Sequence, residues 1–223
     1  MAPEDQKVGK LPTIRRLPSY LHFLRQLHAK GLEYVSGTFI ASELDLEPIQ
    51  VRKDLEITGI VGKPGVGFTV SELIRGIEEF LGWHNNSDAF LVGAGSLGTA
   101  LLGYDGFKRY GLNIVAAFDD DPKKTGQLVH GHEILALDRL PGLAERMLVN
   151  IGIVTVPAHA AQAVAELLVS ADIHGIWNFS PQKLNLPPDV VVQNEDLSSG
   201  LAVLSIRLAR SRNDTTSGAR PEV

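Results

Sequence analysis

The sequence predicts an α/β protein in which a small helical domain precedes a larger domain built on a parallel β-sheet. Three observations lead to this prediction. From residue 89 onward, short apolar runs alternate with stretches of helical periodicity, as strands and crossover helices do in a parallel sheet. A glycine-rich turn follows the first of these runs. The residues before it contain several helical patterns and one glycine-rich turn between apolar residues.

The glycine-rich turn after the first apolar run has the pattern of a dinucleotide-binding loop. It follows residues 89–92 and precedes a helical pattern, which is the context that such a loop needs. The first glycine permits a tight turn, the second lets the backbone approach a pyrophosphate, and the third lets the helix pack closely on the sheet. The alternative is a strand–helix turn that binds nothing. The residues predicted to contact the cofactor here are Gly93, Ala94, Gly95, Ser96, Leu97 and Gly98.

An acidic residue completes this pattern. Asp119 ends the second apolar run, at about the 20-residue distance from the loop that the fingerprint requires. Its carboxylate would accept hydrogen bonds from ribose hydroxyls and repel a 2′-phosphate, so the predicted cofactor is NAD(H) rather than NADP(H). Further strands are predicted at 133–135, 151–156, 175–179 and 190–193, with a helix at 158–170 between the strands at 151–156 and 175–179. The residues expected to line the nicotinamide pocket, at the carboxyl ends of two strands, are Thr155, Val156, Pro157 and Asn178.

The N-terminal domain has the element order of a winged helix. A helical pattern covers residues 12–31, and two shorter helices at 39–46 and 47–59 are joined by a tight turn, which is typical of a helix-turn-helix. Residues 61–70 have three glycines and a proline between apolar ends, a composition that predicts a β-hairpin wing. Ser71 is predicted to cap a closing helix that ends near Leu81.

The placement of basic residues, rather than the net charge of −5, favours DNA as the partner of this domain. Phosphate contacts provide affinity and base-edge contacts provide sequence choice. Gln50 and Arg52, on the second short helix, have side chains that can contact adenine and guanine in the major groove. The alternative is that these charges are solvated on a dimerisation or protein-binding domain. The residues predicted to contact DNA are Arg15, Arg16, Gln50, Arg52, Lys53, Lys63 and Gly65.

Composition narrows the remaining possibilities. The chain has no cysteine, which excludes thiolate metal sites and cysteine nucleophiles. His130 and His132 lack the spacing and the third ligand of a zinc site, so no metal is predicted. No apolar run is long enough to cross a membrane, and we expect a cytoplasmic protein. The predicted segments are a winged helix at 1–84, a Rossmann domain at 85–195, an apolar helix at 196–210 and a disordered tail at 211–223.

In its motifs and their order the chain resembles the redox-sensing transcriptional repressor family Rex. The resemblance covers Arg15 to about Leu208. It rests on RRLPSYL, QVRKDL, GKPGVGF, GAGSLG with TALLGYDGF, VAAFDDDPKKTG, TVPAHAAQAVAELL, GIWNFSP, VVVQNEDL and LAVLS. It implies a homodimer that binds palindromic double-stranded operator DNA when NADH is low and leaves it when NADH binds. It also implies that the last helix is exchanged between subunits.

The resemblance further implies a switch. In the family an arginine two residues after the tyrosine of the first helix pairs with an acid near the last helix, and here His22 and Asp196 occupy those positions. Tyr104 is implied to move its hydroxyl from Asp196 toward the cofactor as the dimer closes. The wing also departs from the family, with Pro64 where an arginine is usual.

Two other functions stay open beside a non-enzymatic sensor. One is an NAD-dependent dehydrogenase, which would need an acid or base placed against a substrate carbonyl. His159 is the nearest candidate base, but the alanines around it offer no orienting partner. The other is a Rossmann-domain interaction protein that has lost DNA binding, which the departures at His22 and Pro64 would suit.

Overall fold

The computed structural model describes residues 11–217, which form two compact units. One unit ends at Asn86 and also contains Gly106–Gly111, whereas the other contains Ser87–Asp105 and the chain from Leu112 onward. The observed boundary therefore lies two residues beyond the predicted end of the winged helix at residue 84. The segment Gly106–Gly111, which we expected in the Rossmann domain, instead belongs to the first unit. What we predicted for residues 1–10 and 218–223 lies outside the described residues.

The first unit is a winged helix. Its elements are α1 (Leu11–Ala29), β1 (Tyr34–Val35), α2 (Gly37–Glu43), α3 (Pro48–Glu56), β2 (Phe68–Thr69) and α4 (Val70–Leu81). Side chains three or four positions apart on α1, such as Leu17, Leu21 and Leu24, are fully buried against the other helices. Pro48 begins α3, at the position where a missing N–H is tolerated.

The wing is smaller than the sequence predicts. Residues 61–70 do not form a hairpin of two strands; β2 pairs antiparallel with β1, and a single bridge joins Lys63 to Gly67. A Cβ at Gly67 would overlap the carbonyl oxygen of Val35, so the glycine there serves the close approach of these two strands. The predicted cap at Ser71 is also wrong, since α4 already begins at Val70, with Thr69 as N-cap and no side-chain capping bond.

The second unit has a seven-stranded sheet in the order β5-β6-β4-β3-β7-β8-β9. Its strands are β3 (Ser87–Val92), β4 (Leu112–Asp119), β5 (Leu128–Val129), β6 (His132–Ala136), β7 (Ile151–Val154), β8 (Gly175–Asn178) and β9 (Val191–Asn194). All neighbouring pairs are parallel except β5 with β6. Without the edge strand β5, which the sequence did not predict, this is the Rossmann order, and the α/β prediction is confirmed.

Three helices of this unit connect its strands, and the strand order locates the ligand crevice. The helices are α5 (Ser96–Leu102), α6 (Leu140–Ala144) and α7 (Ala158–Ser170), of which α7 has the predicted bounds. Strand order reverses between β3 and β7, and in this fold the ligand crevice lies at the carboxyl ends of those two strands. The loop at residues 93–98 follows β3, and Thr155 follows β7, so both lie at that crevice.

The last described helix, α8, covers Leu197–Ser217. It begins where the apolar helix was expected and continues past residue 210, so residues 211–217 are helical where we predicted a disordered tail. No glycine or proline interrupts the chain between Gly200 and Gly218, and a polar composition by itself does not end a helix. No helix of the described residues combines the length and the apolar character that a membrane span needs.

Candidate functional site

The three glycines of the loop after β3 meet different surroundings. Gly93 has a φ of +106°, and a Cβ there would lie 2.8 Å from Val156 Cγ1. A Cβ on Gly98 would overlap the carbonyl oxygen of Gly93 and lie 2.9 Å from Thr155 Oγ1. A Cβ on Gly95 would meet nothing within 4 Å. Gly93 and Gly98 are thus needed for the fold of the loop, whereas Gly95 leaves its backbone open to a ligand.

Asp119, at the end of β4, is 4% exposed and braces this loop. Its Oδ2 accepts a 2.7 Å hydrogen bond from the N–H of Ala94 and a 2.9 Å bond from Lys124 Nζ. Its Oδ1 accepts a 2.9 Å bond from the N–H of Asp121. Burial by itself would raise the pKa of Asp119, but these hydrogen bonds outweigh it and lower the pKa. The carboxylate is therefore ionised and paired with a lysine.

The ion pair with Lys124 was not foreseen from the sequence. A carboxylate offers about four lone-pair positions, and Asp119 uses three of them, so Oδ1 can still accept a hydrogen bond. Lys124 lies five residues later, in the turn that follows β4, and its side chain is 39% exposed. A lysine in such a turn was the available signal, since its chain is long enough to fold back on the acid that ends the strand.

The three residues after β7 differ in their contacts: Thr155 is bonded to the glycine loop, whereas Pro157 is exposed. The Thr155 hydroxyl donates to the carbonyl oxygens of Val92 and Gly93, at 3.0 and 2.7 Å, so it holds the glycine loop rather than pointing away from it. Val156 is half-buried, with its Cγ1 facing Gly93, and Pro157 is exposed as the N-cap of α7. Contact of these three residues with a nicotinamide stays a prediction.

Asn178, at the end of β8, is fully buried. Its Nδ2 donates to Gln182 O and to Asn194 Oδ1, both at 2.9 Å, and its Oδ1 accepts from the N–H of Ser180 at 3.0 Å. Both amide hydrogens are thus used within the chain. In this arrangement Asn178 fixes the turn after β8 and the neighbouring strand β9, and its predicted contact with a cofactor is not tested.

The three residues that we predicted to form the switch lie in different surroundings. His22, in the first unit, is exposed and shares a 2.9 Å hydrogen bond with Gln26, one turn later on α1. Asp196, in the second unit, accepts bonds from the N–H and Oγ of Ser198 at 2.8 and 2.6 Å, which lower its pKa and begin α8. Tyr104 follows α5 and is 53% exposed. The pairing of His22 with Asp196 stays a prediction.

The winged helix has a buried acid of its own, Asp54 on α3, whose side chain has no exposed surface. Four side chains donate to it: Thr13 at 2.9 Å, Arg16 at 2.6 and 2.7 Å, Tyr20 at 2.7 Å and Gln50 at 2.8 Å. Burial opposes its charge, yet these bonds lower the pKa of Asp54 to about 2. Burial and the bond to Asp54 raise the pKa of Tyr20. The cluster joins α3 to α1.

This cluster divides the residues that we predicted to contact DNA into those bonded to Asp54 and those with exposed side chains. Arg16 and Gln50 are both bonded to Asp54 and only partly exposed. Arg15, Arg52 and Lys53 have exposed side chains, as a phosphate or base contact requires. The wing residues Lys63 and Gly65 are exposed too, and Gly65 has a φ of +73° in the turn closed by Lys63 and Gly67.

Arg25 connects the segment Gly106–Gly111 to the helices of the first unit. Its Nη2 lies 2.7 Å from Glu78 Oε1 on α4 and 3.2 Å from the carbonyl oxygen of Arg109. Its guanidinium lies 5.8 Å from the ring centroid of Tyr110, which also packs on Trp83 at 4.7 Å. The chain that follows α5 is therefore anchored in the winged helix, which sequence periodicity gave no reason to expect.

Comparisons with known proteins agree with both halves of this architecture. The family model described as "CoA binding domain" matches residues 84–182, and the model described as "Putative DNA-binding protein N-terminus" matches residues 11–56. Among the described residues, no group of three His, Asp or Glu side chains could hold a metal ion. The first match includes strands β3 to β8 with the glycine loop, and the second includes α1 to α3 with Asp54.

The chain is 53% identical to the redox-sensing transcriptional repressor Rex of Treponema denticola, over 91% of this chain and 97% of that protein. It is similar to the solved structure of RSP, a Rex-family repressor, in complex with NAD⁺ and operator DNA, with a TM-score of 0.84, 31% identity, and coverage of 95% and 98% of the two chains. The complex of RSP with NADH gives a TM-score of 0.84 at 30% identity over 93% and 97%. The chain belongs to the Rex family of redox-sensing transcriptional repressors.

Proposed function

We propose that this protein represses transcription according to the ratio of NADH to NAD⁺, binding a palindromic operator when NADH is low and leaving it when NADH binds. The observation that carries the proposal is the glycine loop braced by Asp119 at the strand-order reversal, in one chain with a winged helix. The operator and NADH complexes of RSP support the same ligands here. A repressor of this kind would act in the cytoplasm.

The loop fits a dinucleotide. The open space at Gly95 admits a pyrophosphate, and the N–H groups of the first turn of α5 have no acceptor within the helix. The free position on Asp119 Oδ1 suits a ribose hydroxyl. Bound NADH would act as a ligand whose differential affinity for two arrangements of the protein shifts their populations. Asp119, Gly95 and Ser96 would hold it, and Val156 and Pro157 would lie toward the nicotinamide.

Operator binding with and without cofactor tests this function. A palindrome selected from random DNA in the presence of NAD⁺ is titrated with the protein while NADH or NAD⁺ is added in separate series. We expect NADH, and not NAD⁺, to weaken the complex, and operator DNA to weaken NADH binding by the same factor. An operator complex that is insensitive to NADH would reject the proposal, and so would failure to select any palindrome.

Two exposed basic residues, Arg52 and Lys63, would make different kinds of contact with DNA. Arg52→Ala should reduce the preference for operator over random DNA, because Arg52 would contact base edges. Lys63→Ala should weaken all DNA alike and lower the salt dependence, because Lys63 would contact phosphates. If neither substitution changes binding to the selected palindrome, α3 and the wing do not contact DNA as proposed.

We infer that the protein acts as a homodimer through α8. Apolar side chains on this helix are more than half exposed in the isolated chain: Leu201, Val203, Leu204, Ile206 and Leu208. Exchange of the helix between subunits would cover them. Sedimentation of a chain truncated before Leu197 should give a monomer or an aggregate, and a soluble, stable dimer would contradict the inference.

A dehydrogenase remains the alternative to be tested. Tyr104 and Lys108 have the Tyr-x-x-x-Lys spacing of some dehydrogenases, but Tyr104 lies in the loop after α5 and Lys108 in a 3₁₀ segment, instead of both lying on one α-helix. His159 is exposed at the start of α7. We propose that NADH is bound and released unchanged. Oxidation of NADH with a panel of small carbonyl compounds, lost in a Tyr104→Phe variant, would favour the enzyme instead.

The switch can be tested at His22. An arginine at this position would reach farther and carry a permanent charge, so His22→Arg should strengthen operator binding relative to His22→Gln if the side chain pairs with Asp196. Equal operator affinity for the two variants would remove His22 from the switch.

A further inference from the structure

Gln50 has a fixed orientation on α3. Its Nε2 donates a 2.8 Å hydrogen bond to Oδ1 of Asp54, one turn later on the same helix. The carboxylate of Asp54 can only accept hydrogen bonds, since its pKa lies near 2. The nitrogen edge of the amide must therefore face Asp54, and the oxygen edge must face away from it.

The amide oxygen of Gln50 is accessible. Every buried side-chain nitrogen or oxygen in the described residues has a hydrogen-bond partner. Within the described residues, the side chain of Gln50 makes one hydrogen bond, from Nε2 to Asp54, and its Oε1 makes none. Oε1 is consequently not buried, and it lies on a helix whose neighbouring side chains Arg52 and Lys53 are exposed.

Asp54 is itself held from a second helix. Thr13, Arg16 and Tyr20 of α1 donate four hydrogen bonds to it, and its side chain is completely buried. A carboxylate fixed in this way cannot follow a moving partner. The rotational freedom that Gln50 would otherwise lose on binding is already restricted before the ligand arrives, which favours a specific contact.

We propose that Asp54 is a positioning residue for operator recognition, holding Gln50 so that its Oε1 accepts a hydrogen bond from an exocyclic amine in the major groove. Adenine N6 and cytosine N4 present such an amine, whereas guanine and thymine present acceptors at the corresponding place. Gln50 therefore selects an amine-bearing base. This inference rests on the proposed function, because it requires α3 to enter the major groove.

Base analogues that lack the amine provide the direct test. In the selected palindrome, 2-aminopurine replaces adenine and 2-pyrimidinone replaces cytosine, one symmetric position at a time, and affinity is measured without NADH. We expect one position at which loss of the amine weakens binding roughly fivefold per half-site, the worth of one neutral hydrogen bond. The analogue that has this effect identifies the base as adenine or cytosine. In the Gln50→Leu protein, the same base replacement should leave the operator affinity unchanged.

The orientation is tested separately with 7-deazaadenine, which keeps the amine and loses the N7 acceptor. If Gln50 presents its oxygen, wild type and Gln50→Leu lose the same factor on this replacement. A loss that depends on Gln50 and follows N7 instead of the amine would overturn the assigned orientation. Equal costs of amine removal in wild type and Gln50→Leu at every position would overturn the contact itself.

Asp54→Asn tests the positioning role. We expect it to reduce the amine effect toward that of Gln50→Leu, because an asparagine can turn its own amide and release the orientation of Gln50. Thr13→Val is the matched control, since it removes another bond to the same Oδ1 and should lower the melting temperature without changing the amine effect. An unchanged amine effect in a folded Asp54→Asn protein would contradict the proposal.

If Asp54→Asn does not fold, the Gln50→Leu and 7-deazaadenine measurements decide, because both use stable proteins or the wild type. Release of the wild-type operator complex by NADH tests the repressor function independently. A complex that NADH releases, but whose affinity never depends on an amine through Gln50, would reject this inference alone.

Discussion

Asp54 in the winged helix and Asp119 in the Rossmann unit are both buried acids with lowered pKa values, but they are satisfied by different parts of the chain. Asp54 accepts five hydrogen bonds, all from side chains and most of them from another helix. Asp119 accepts three, of which two come from backbone N–H groups near it in the fold. The first carboxylate is fully occupied, whereas the second can still accept one bond.

This difference separates two roles for a buried charge. A saturated carboxylate has no capacity for a ligand and can act only through the side chains that it holds, here Arg16 and Gln50. A carboxylate that fixes a backbone loop and retains a lone pair can bind a ligand directly. In the proposed function, Asp119 would therefore contact the cofactor, and Asp54 would lie behind the surface that faces DNA.

The largest expected effect is on stability, at Asp54. Asp54→Ala would leave Arg16 without its counter-ion and Tyr20 with a buried, unpaired hydroxyl, so we expect the free energy of unfolding to fall by about 3–5 kcal/mol. Denaturant unfolding followed by tryptophan fluorescence in a Trp177→Phe background, where the remaining Trp83 lies in the same unit as Asp54, measures this. Thr13→Val should cost only about 1 kcal/mol. A loss below that for Asp54→Ala would show that the carboxylate is not structural.

The glycine loop gives the next effect. Gly98→Ala would force a Cβ against the carbonyl oxygen of Gly93, and we expect a loss of roughly 3 kcal/mol in the unfolding free energy of the cofactor-free protein. Gly95→Ala is the matched control, because its Cβ meets open space; its melting temperature should be unchanged while its NADH affinity falls. Gly95→Ala with wild-type NADH affinity would show that the pyrophosphate does not approach this residue.

The lowered pKa of Asp54 predicts how its contribution depends on pH. In the unfolded chain this aspartate becomes protonated near its ordinary pKa of 3.8, but in the folded protein only near pH 2. Its charged form therefore adds about 2 kcal/mol of stability above pH 4, which is lost progressively as the pH falls toward 2. The stability difference between wild type and Asp54→Asn should shrink from pH 5 to pH 3. A difference that is constant over this range would contradict the assignment.

Sequence patterns were sufficient where a role depends on neighbours along the chain. The glycine spacing, the acid at the end of β4 and the bounds of α7 follow from periodicity and from a local motif, and the structure has them where predicted. The prediction of a hairpin wing was wrong because β2 pairs with β1, more than thirty residues earlier in the chain. That partner depends on how the helices between them pack.

The details of both sites depended on contacts between distant residues. Arg16 and Gln50 look like free polar side chains in the sequence, and nothing local shows that both face Asp54. Arg25 likewise reaches Arg109, 84 residues away, through packing that periodicity does not encode. Lys124 was nearer to being predictable, since it is five residues from Asp119 in a turn. Which charges are free and which are paired is decided by tertiary structure.

The smallest effect is expected at Asp119, in the choice between NADH and NADPH. Asp119 and Lys124 offset each other's charge, and Asp120 and Asp121 beside them leave the region acidic, which disfavours a 2′-phosphate. Asp119→Ala should weaken NADH binding by about 1 kcal/mol, roughly fivefold, because the bonds to the ribose and to Ala94 are lost. It should also reduce the difference between the affinities for NADH and NADPH, because Lys124 becomes free to contact the 2′-phosphate.

Fluorescence titration with both cofactors measures the ratio of the two affinities. Asp119→Ala combined with Lys124→Met is the control that should restore the preference for NADH. Equal affinities of the unmodified protein for NADH and NADPH would remove Asp119 from cofactor selection and leave it, like Asp54, with a structural role.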